Sequence, residues 1–320
     1  MKFSIIIPSY NRAKYILSAI NSVVGQNIHQ PEIIIVDDGS TDSTSVILQH
    51  AIEKGGIRYI YQNNSGPSVA RNVGAKQANG DYLIFLDSDD QLTESRIDKL
   101  RYEFQSIKIL PDLIYSPWIT TDANGNIIRS PGKEFASDEL IPSLLVRGLA
   151  HPGACVFKRN TFLALGGFNE TLRGIEDWEL CQRFALEQKS FLFFSHQGSK
   201  YTKHNKTLSS DVELVLNYAL KVVDIGMRHR NTKINARKYL SRVAKIIQYF
   251  ESCRRLQLVD NQDILLKLLK TVFSLFSPDK FWHDQYKRIT LDYIIQNPHV
   301  ISEIRDQLEA NFVKTYIRYN

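Results

Sequence analysis

The chain has 320 residues, which is long for one ordinary domain and sufficient for a catalytic domain with an additional region. Hydrophobic residues make up 43% and charged residues 23% of the sequence, a composition that excludes disordered and fibrous proteins. The formal net charge is +6. The apolar run at the N-terminus is shorter than that of a signal peptide, and no stretch approaches membrane-spanning length.

The cysteine content indicates whether disulfides or a zinc site are expected and which cellular compartment is favoured. The three cysteines are Cys155, Cys181 and Cys253. They are too few and too scattered for a disulfide framework or a zinc site, which favours a reducing, cytoplasmic location. Each is expected to be a small buried hydrophobic residue.

The charge is unevenly distributed along the chain. From Val215 onward 18 Lys and Arg accompany 10 Asp and Glu, whereas residues 1–214 carry 22 against 24. This asymmetry predicts a catalytic domain at residues 1–214 and a basic helical region at residues 215–320. The basic region can present an ordinary solvated face, or it can contact an anionic membrane surface or an anionic acceptor, and both interpretations stay open.

Short apolar runs alternate with helical patterns through the first hundred residues. The runs predict strands at residues 4–10, 32–40, 57–63 and 81–89, and the periodicity predicts helices at residues 15–26, 42–54 and 66–78. This βαβαβαβ series predicts an α/β fold whose mostly parallel sheet is covered by helices on both faces. Ligands of such sheets bind beyond the carboxyl ends of the strands.

Polar clusters follow three of the predicted strands, at the point where each strand ends. Pro8–Asn11 follow the first strand, Asp37–Ser40 follow the second, and Asp87–Asp90 follow the fourth. Because these strand ends meet at one edge of a parallel sheet, the clusters predict a single binding site.

The segment VDDGSTD contains two adjacent carboxylates, Asp37 and Asp38, directly at a strand exit. Loop chemistry explains the rest of the segment, because Gly39 allows a tight turn and the polar residues after it can cap the following helix. A turn requires only one such carboxylate. The pair therefore favours binding of a ligand N–H group, such as the imide of a pyrimidine.

The segment LDSDD places Asp87, Asp89 and Asp90 after a buried strand, where repulsion and burial disfavour their charged forms. Asp90 is expected to cap the helix that follows, and capping needs only one carboxylate. The remaining two fit a divalent cation beside a nucleoside diphosphate, because Mg²⁺ or Mn²⁺ there takes one or two protein carboxylates.

Four segments, in order, carry a resemblance to a known family. They are IIIPSYNR, IIIVDDGSTDST, NSGPSVARNVGAKQANGDYLIFLDSDD and GGFNETLRGIEDWELCQR. Their order and spacing resemble the successive motifs of glycosyltransferase family 2, inverting enzymes with the GT-A fold that use nucleotide-sugar donors. The resemblance covers about residues 1–210 and implies a metal-dependent transferase of polysaccharide or glycan assembly. It implies a UDP-sugar donor, with GDP and dTDP donors left open.

The resemblance also implies roles for individual residues in binding the donor. The residues expected to hold the nucleobase and its ribose are Pro8, Tyr10 and Asp38, and Asn11 is expected to bind the substrate beside them. Arg71 would approach the base or the phosphates, and Asp87 would lie near the ribose with Ser88 beside it. Asp89 would coordinate the Mn²⁺ or Mg²⁺ ion.

The segment GIEDWELCQRF begins an amphipathic helix with Glu176, Asp177 and Glu179. Transfer to a hydroxyl requires a general base, and the family pattern assigns that role to Asp177. Acidic residues in a first helical turn also favour the helix dipole, which suits Glu179 well. Glu176 is expected to bind the acceptor or to support the base.

Two further segments carry weaker indications. LAHPGACVFKRNTFLALGGF, residues 149–168, resembles the strand of the family that faces the sugar and the acceptor. His204 follows the catalytic helix, where family members commonly place a histidine against the metal or the diphosphate. A lone histidine is more often an ordinary residue, and the sequence shows no second partner for it.

Beyond residue 215 the motifs stop and helical spacing continues. The segment Ile264–Phe276 carries two lysines among apolar residues, which fits a helical core or a peripheral helix on a membrane surface. The expected partners are a nucleotide-sugar donor and a glycan or lipid-linked sugar acceptor, with no nucleic acid.

Two other function classes fit the sequence less well than a transferase does. A nucleotidyltransferase would need a glycine-rich phosphate loop after the first strand, and PSYNRAKY contains no glycine. A non-catalytic nucleotide- or membrane-binding module with the same fold is the alternative; it would lack a base, and Asp177 argues against it.

Overall fold

The computed structural model describes residues 1–26, 30–122, 124–130, 134, 144, 148–203 and 212–231. Across these ranges the chain alternates strands and helices around a seven-stranded sheet that is mostly parallel. The predicted α/β fold with a mostly parallel sheet and flanking helices is confirmed.

The strands end where the polar clusters begin. The strands are β1 (Phe3–Ser9), β2 (Glu32–Asp37), β3 (Arg58–Tyr61), β4 (Tyr82–Phe85), β5 (Gln91–Leu92), β6 (Leu113–Tyr115), β7 (Ile119–Thr121), β8 (Ile127–Arg129), β9 (Cys155–Lys158), β10 (Phe191–Phe193) and β11 (Ser199–Thr202). Strands β2 and β4 end earlier than the apolar runs predict. The chain turns after β2 at Gly39, whose φ of 81° is a backbone conformation that favours glycine.

The helices lie between the strands, as the periodicity predicts. They are α1 (Ile16–Val24), α2 (Thr44–Glu53), α3 (Pro67–Gln77), α4 (Arg96–Ser106), α5 (Arg159–Ala164), α6 (Glu176–Leu186) and α7 (Val212–Arg228). A short 3-10 helix at Pro152–Ala154 precedes β9.

Strand order places the functional loops side by side. The central sheet has the order β10-β6-β9-β4-β1-β2-β3 among the described residues. β1 pairs in parallel with β2 and with β4, so that Ile6 lies opposite Ile34 and Phe85. β9 runs antiparallel to both β4 and β6. The carboxyl ends of β1, β2 and β4 therefore share one edge of the sheet.

The side chains of β1 alternate between two hydrophobic cores. Ile5 and Ile7 pack on the face covered by α1, and Ile6 packs on the face covered by α3. All three are fully buried. Burying an isoleucine side chain stabilises the fold by about 1.5–3 kcal/mol, so the continuous apolar run is explained by burial on both faces.

Gly74 brings helix α3 unusually close to the sheet. A Cβ atom added at Gly74 would lie 2.5 Å from Cγ2 of Ile6 and 3.2 Å from Cγ2 of Val36. We expect Gly74→Ala to lower the free energy of unfolding by about 1–3 kcal/mol through overpacking, measured by urea denaturation. The matched control is Gly56→Ala, because Gly56 is exposed. A Cβ atom there would lie 3.6 Å from the carbonyl oxygen of Ala51, which is an ordinary van der Waals contact. Equal stability of the two variants would contradict this account of the packing.

A second, four-stranded sheet lies beside the first, in the order β5-β11-β7-β8 among the described strands. β11 pairs antiparallel with β5 and parallel with β7. Because β5 directly follows Asp87–Asp90, the second sheet, including β11, lies next to that loop.

The helix that carries the predicted base packs against α7. A Cβ atom added at Gly226 of α7 would lie 2.8 Å from Nε2 of Gln182 on α6. Glu187, just after α6, accepts from Arg230 at 3.0 Å and lies 3.1 Å from Nε2 of His229. α7 is thus joined to both the middle and the end of α6.

The chain divides into two compact units, Met1–Lys233 and Ile234–Asn320. The second unit lies outside the described residues, and so does the segment Ile264–Phe276. The predicted boundary at residue 214 and the predicted membrane contact stay predictions. Of the described helices, none combines the length and the apolar character needed to cross a membrane. Cys155 and Cys181 are buried and form no disulfide, and Cys253 is outside the described residues.

Candidate functional site

The loop after β2 is held in place by its own carboxylates. Asp37 accepts from the Ser40 N–H at 2.8 Å and from the Tyr59 hydroxyl at 2.5 Å. Asp38 accepts from the N–H groups of Ser65 and Gly66, each at 2.8 Å. Asp37 therefore shapes the turn, and Asp38 fixes the beginning of α3. The role of Asp38 in binding a nucleobase stays a prediction.

The loop after β1 is joined to the loop after β2. Asn11 has a φ of 53°, and its side-chain oxygen accepts from the Thr41 N–H at 2.8 Å. Its own N–H donates to Ser40 Oγ at 2.9 Å. Pro8 is buried within β1, whereas Tyr10 is 46% exposed and accessible to a flat ligand such as a base. The assignments of Pro8, Tyr10 and Asn11 to donor binding stay predictions.

The carboxylates after β4 point to different partners. Asp87 Oδ1 pairs with Arg71 Nη2 at 2.6 Å, and Asp89 Oδ2 lies 3.7 Å from Arg12 Nε. Asp90 is buried and accepts from the Thr202 N–H of β11 at 2.9 Å. Ser88, between Asp87 and Asp89, is buried as well.

The expectation that Asp90 caps the next helix is wrong. The chain first forms β5 at Gln91–Leu92, and α4 begins only at Arg96, after Ser95. Asp90 instead faces His151, whose Nε2 lies 3.2 Å from its Oδ2. This Oδ2 atom is buried and, apart from the approach of His151, has no hydrogen-bond partner among the described residues. Asp90 thus belongs to the site.

Asp87, Asp90 and His151 form a candidate metal site. Each offers one ligand atom, and these atoms all lie within 4.8 Å of one another. The family resemblance implies a metal at Asp89 and His204, and His151 was not among the predicted site residues. His204 lies outside the described residues, and its assignment, like that of Asp89, stays a prediction. The only sequence signal for His151 was its place beside Pro152 at the start of the motif resembling the sugar-facing strand.

The electrostatics of this group favour a bound cation. Burial, together with the charges of Asp87 and Asp89, raises the pKa of Asp90 well above its ordinary value. Burial lowers the pKa of His151 to about 4, so its imidazole is neutral and able to ligate a metal at neutral pH. Burial alone would raise the pKa of Asp87, but the Arg71 guanidinium holds it below its ordinary value.

The predicted base lies at the start of α6, next to Glu176. Asp177 is half-buried, and its Oδ1 accepts from the Trp178 N–H at 2.8 Å. Burial, reinforced by the Glu176 carboxylate, raises the pKa of Asp177 to about 7. A carboxyl group that titrates near neutral pH is suited to general base chemistry. Glu179, by contrast, is paired with Arg183 at 2.6 Å, in agreement with a structural role.

Arg71 connects the two halves of the site. Its guanidinium pairs with Asp87 after β4 and with Glu176 at the start of α6, both at 2.6 Å. The structure thus brings together Arg71, Asp87 and Glu176, with Asp177 adjacent. His151 and Asp90 complete the cluster on the side of the second sheet.

Comparisons with known proteins agree with this architecture. The model of the family described as Glycosyl transferase family 2 matches residues 4–119. An uncharacterized glycosyltransferase of Haemophilus influenzae is 30% identical over 206 residues, which cover 63% of this chain and 79% of that protein. An uncharacterized glycosyltransferase of Rickettsia felis is 37% identical over 145 residues, 45% of this chain. This chain spans only 24% of the Rickettsia protein.

The fold is shared with a solved glycosyltransferase structure. The crystal structure of S. aureus TarS 1–349 in complex with UDP-GlcNAc matches with a TM-score of 0.61 at 19% identity, over 87% of this chain and 82% of that chain. At this identity the match shows the fold, which is GT-A. Together with the coverage of the Haemophilus relative and the carboxylate cluster at the strand ends, it confirms the predicted family. The chain belongs to glycosyltransferase family 2 and has the GT-A fold.

Proposed function

We propose that this chain is an inverting, metal-dependent transferase that moves one sugar from a nucleoside diphosphate to a hydroxyl of a glycan or lipid-linked acceptor. One observation carries the proposal: a candidate cation site of Asp87, Asp90 and His151 is linked through Arg71 to the helix that begins with Glu176 and Asp177. A UDP-sugar is the favoured donor, which is supported by the UDP-GlcNAc bound in the related TarS structure.

The residues of the cation site fit Mn²⁺ or Mg²⁺. Two carboxylates and one neutral imidazole are available, and in the described part of the chain the buried Asp90 Oδ2 has no polar neighbour at hydrogen-bond distance other than His151. Hard divalent cations prefer carboxylate oxygens and keep positions for phosphate oxygens and water. A cation held there would supply charge neutralisation for the departing diphosphate.

The chain's own groups have distinct roles in this proposal. Tyr10 is exposed beside the loops after β1 and β2 and can stack on the nucleobase. Asp177 takes the proton from the acceptor hydroxyl on the face opposite the leaving group, which leads to inversion. Its raised pKa, to about 7, makes the carboxylate basic enough to accept that proton while remaining largely ionised above neutral pH.

Donor binding tests the proposal without knowledge of the acceptor. We expect calorimetric titration of the full chain to show binding of UDP that depends on Mn²⁺ and is weaker for GDP and dTDP. Preferential binding of GDP or dTDP would retain the transferase and change the donor class. Absence of binding for all three nucleotides, with or without Mn²⁺, would contradict the proposal and favour the non-catalytic module.

A further inference from the structure

Arg71 holds two carboxylates that belong to different parts of the molecule. Its Nη2 lies 2.6 Å from Oδ1 of Asp87 after β4, and its Nη1 lies 2.6 Å from Oε1 of Glu176 on α6. The side chain is only 5% exposed, and its Cζ lies 5.3 Å from the centre of the Phe168 ring. Both terminal nitrogens and one face of the guanidinium are thus occupied by protein groups.

The backbone that carries Arg71 is itself anchored. Asp38 binds the N–H groups at the start of α3, as described above. The next residue along the helix, Asn72, donates to the Phe168 carbonyl at 2.9 Å and accepts from the Phe168 N–H at 2.8 Å. Helix α3 is therefore fastened both to the loop after β2 and to the segment that leads into α6.

The first turn of α6 depends on the other end of this connection. Ile175, which precedes the helix, makes no side-chain capping bond, and the first turn contains Glu176, Asp177 and Glu179. Glu176 is buried, and within the ranges that the structure describes its second oxygen, Oε2, has no hydrogen-bond partner. The ion pair with Arg71 is therefore the strong interaction that holds the Glu176 side chain in the interior.

We propose that Arg71 is a positioning residue: it ties the end of β4 to the first turn of α6 and so fixes Asp177 relative to the donor-binding carboxylates. This inference rests on the proposed function. It differs from direct contact with the donor, the role that the family resemblance implies for Arg71. A guanidinium whose two terminal nitrogens already bind the buried Glu176 and the partly exposed Asp87 has little capacity to bind a phosphate as well.

The two roles of Arg71 predict different kinetics. If Arg71 positions α6, Arg71→Met should lower kcat by about a hundredfold or more while the Kd for the nucleotide in Mn²⁺ changes by less than about threefold. If Arg71 binds the donor, the Kd itself should rise about tenfold or more. The matched control is Arg58→Met, because Arg58 is exposed and pairs with the partly exposed Glu32 at 3.8 Å. That variant should retain the wild-type kcat and Kd.

A double-mutant cycle tests whether Arg71 acts through Glu176. Glu176→Gln should lower kcat. Adding Arg71→Met to Glu176→Gln should lower kcat by less than about a further threefold, because the ion pair between Arg71 and Glu176 is already broken. Independent, multiplicative losses would overturn the proposal. Should Arg71→Met fail to fold, Arg71→Lys replaces it in the cycle, since a single ammonium keeps the charge but loses the fork that bridges two carboxylates.

Hydrogen exchange supplies a readout that does not require activity. Amides of the first turn of α6 should exchange faster in Arg71→Lys than in the wild type. In Arg58→Met their exchange rates should equal those of the wild type. Unchanged exchange in α6 would overturn the positioning role even if activity were lost. Wild-type protein that binds no nucleotide would instead contradict the proposed function, so the two failures are distinguishable.

Discussion

Replacing Asp177 by asparagine is expected to reduce sugar transfer by about 10²–10⁴-fold while leaving nucleotide binding nearly unchanged. The amide cannot accept the proton of the acceptor hydroxyl. It can still accept the Trp178 N–H that Asp177 Oδ1 binds at 2.8 Å, so the first turn of α6 should be preserved. Transfer is measured as nucleoside diphosphate release in the presence of acceptor, and binding by calorimetry with Mn²⁺.

The matched control for Asp177 is Glu179→Gln. Glu179 lies in the same helical turn, but its carboxylate is paired with Arg183 at 2.6 Å. This variant should keep kcat within about threefold of the wild type, since Glu179 contributes to the helix and not to proton transfer. Full activity in Asp177→Asn would show that another group is the base.

The raised pKa of Asp177 adds a pH dependence to this prediction. Only the ionised carboxylate can accept a proton, so activity is present above the pKa and lost as the pH falls through it. With a pKa of about 7, kcat/KM should fall on the acidic side of neutrality. A profile that is flat from about pH 5 to about pH 9 would contradict the assignment.

Replacing Asp90 by asparagine is expected to weaken Mn²⁺-dependent nucleotide binding by about a hundredfold or more. Asp90 is buried, accepts the Thr202 N–H at 2.9 Å, and directs its second oxygen toward His151. Asparagine preserves the hydrogen bond to Thr202 and removes the charge. Weaker nucleotide binding would therefore result from loss of the bound cation. His151→Gln should show a loss in the same direction.

Stability gives a second test of the same carboxylate. Because the pKa of Asp90 is raised in the folded protein, the protonated carboxyl group stabilises the fold relative to the ionised one. The stabilisation by protonated Asp90 is present at low pH and is lost as the pH rises. In EDTA at neutral pH, Asp90→Asn should therefore melt at a higher temperature than the wild type. Addition of Mn²⁺ should raise Tm for the wild type and not for the variant.

Asp89→Asn is the informative comparison for the cation site. Its carboxylate lies 3.7 Å from Arg12, whereas Asp90 faces His151 at 3.2 Å. If Asp89→Asn abolishes the Mn²⁺ effect and Asp90→Asn does not, the assignment from the family motif is right and the geometric cluster is not the site. Loss in Asp90→Asn with retention in Asp89→Asn would establish the cluster.

The regular elements of the fold were accessible from the sequence because each follows from local patterning. The run of isoleucines at residues 5–7 predicts a strand buried on both faces, and β1 places Ile6 against α3 and its two neighbours against α1. The predicted strands differ from the observed ones chiefly at their ends. The predicted strand at residues 81–89 extends into Asp87–Asp89, but Asp87–Asp90 form a turn before β5.

The carboxylates themselves were predictable, while their partners were not. Acidic residues at strand ends stand out in the sequence, and Asp177 stands out through its motif. His151 was missed because a histidine beside a proline carries no periodic or compositional signal. It enters the site only because the 3-10 helix before β9 packs next to β4 and β11, which a linear pattern does not encode.

By itself, then, the sequence determined the α/β alternation, the edge of the sheet that carries the carboxylates, and the family, since these depend on short-range periodicity and contiguous motifs. The tertiary structure alone decided which charges meet. Arg71 reaches Glu176 across 105 residues of chain, and Asp90 turns toward His151. The physical reason is that side-chain direction beyond a strand end depends on the turn that follows, and long-range partners depend on the order of strands in the sheet.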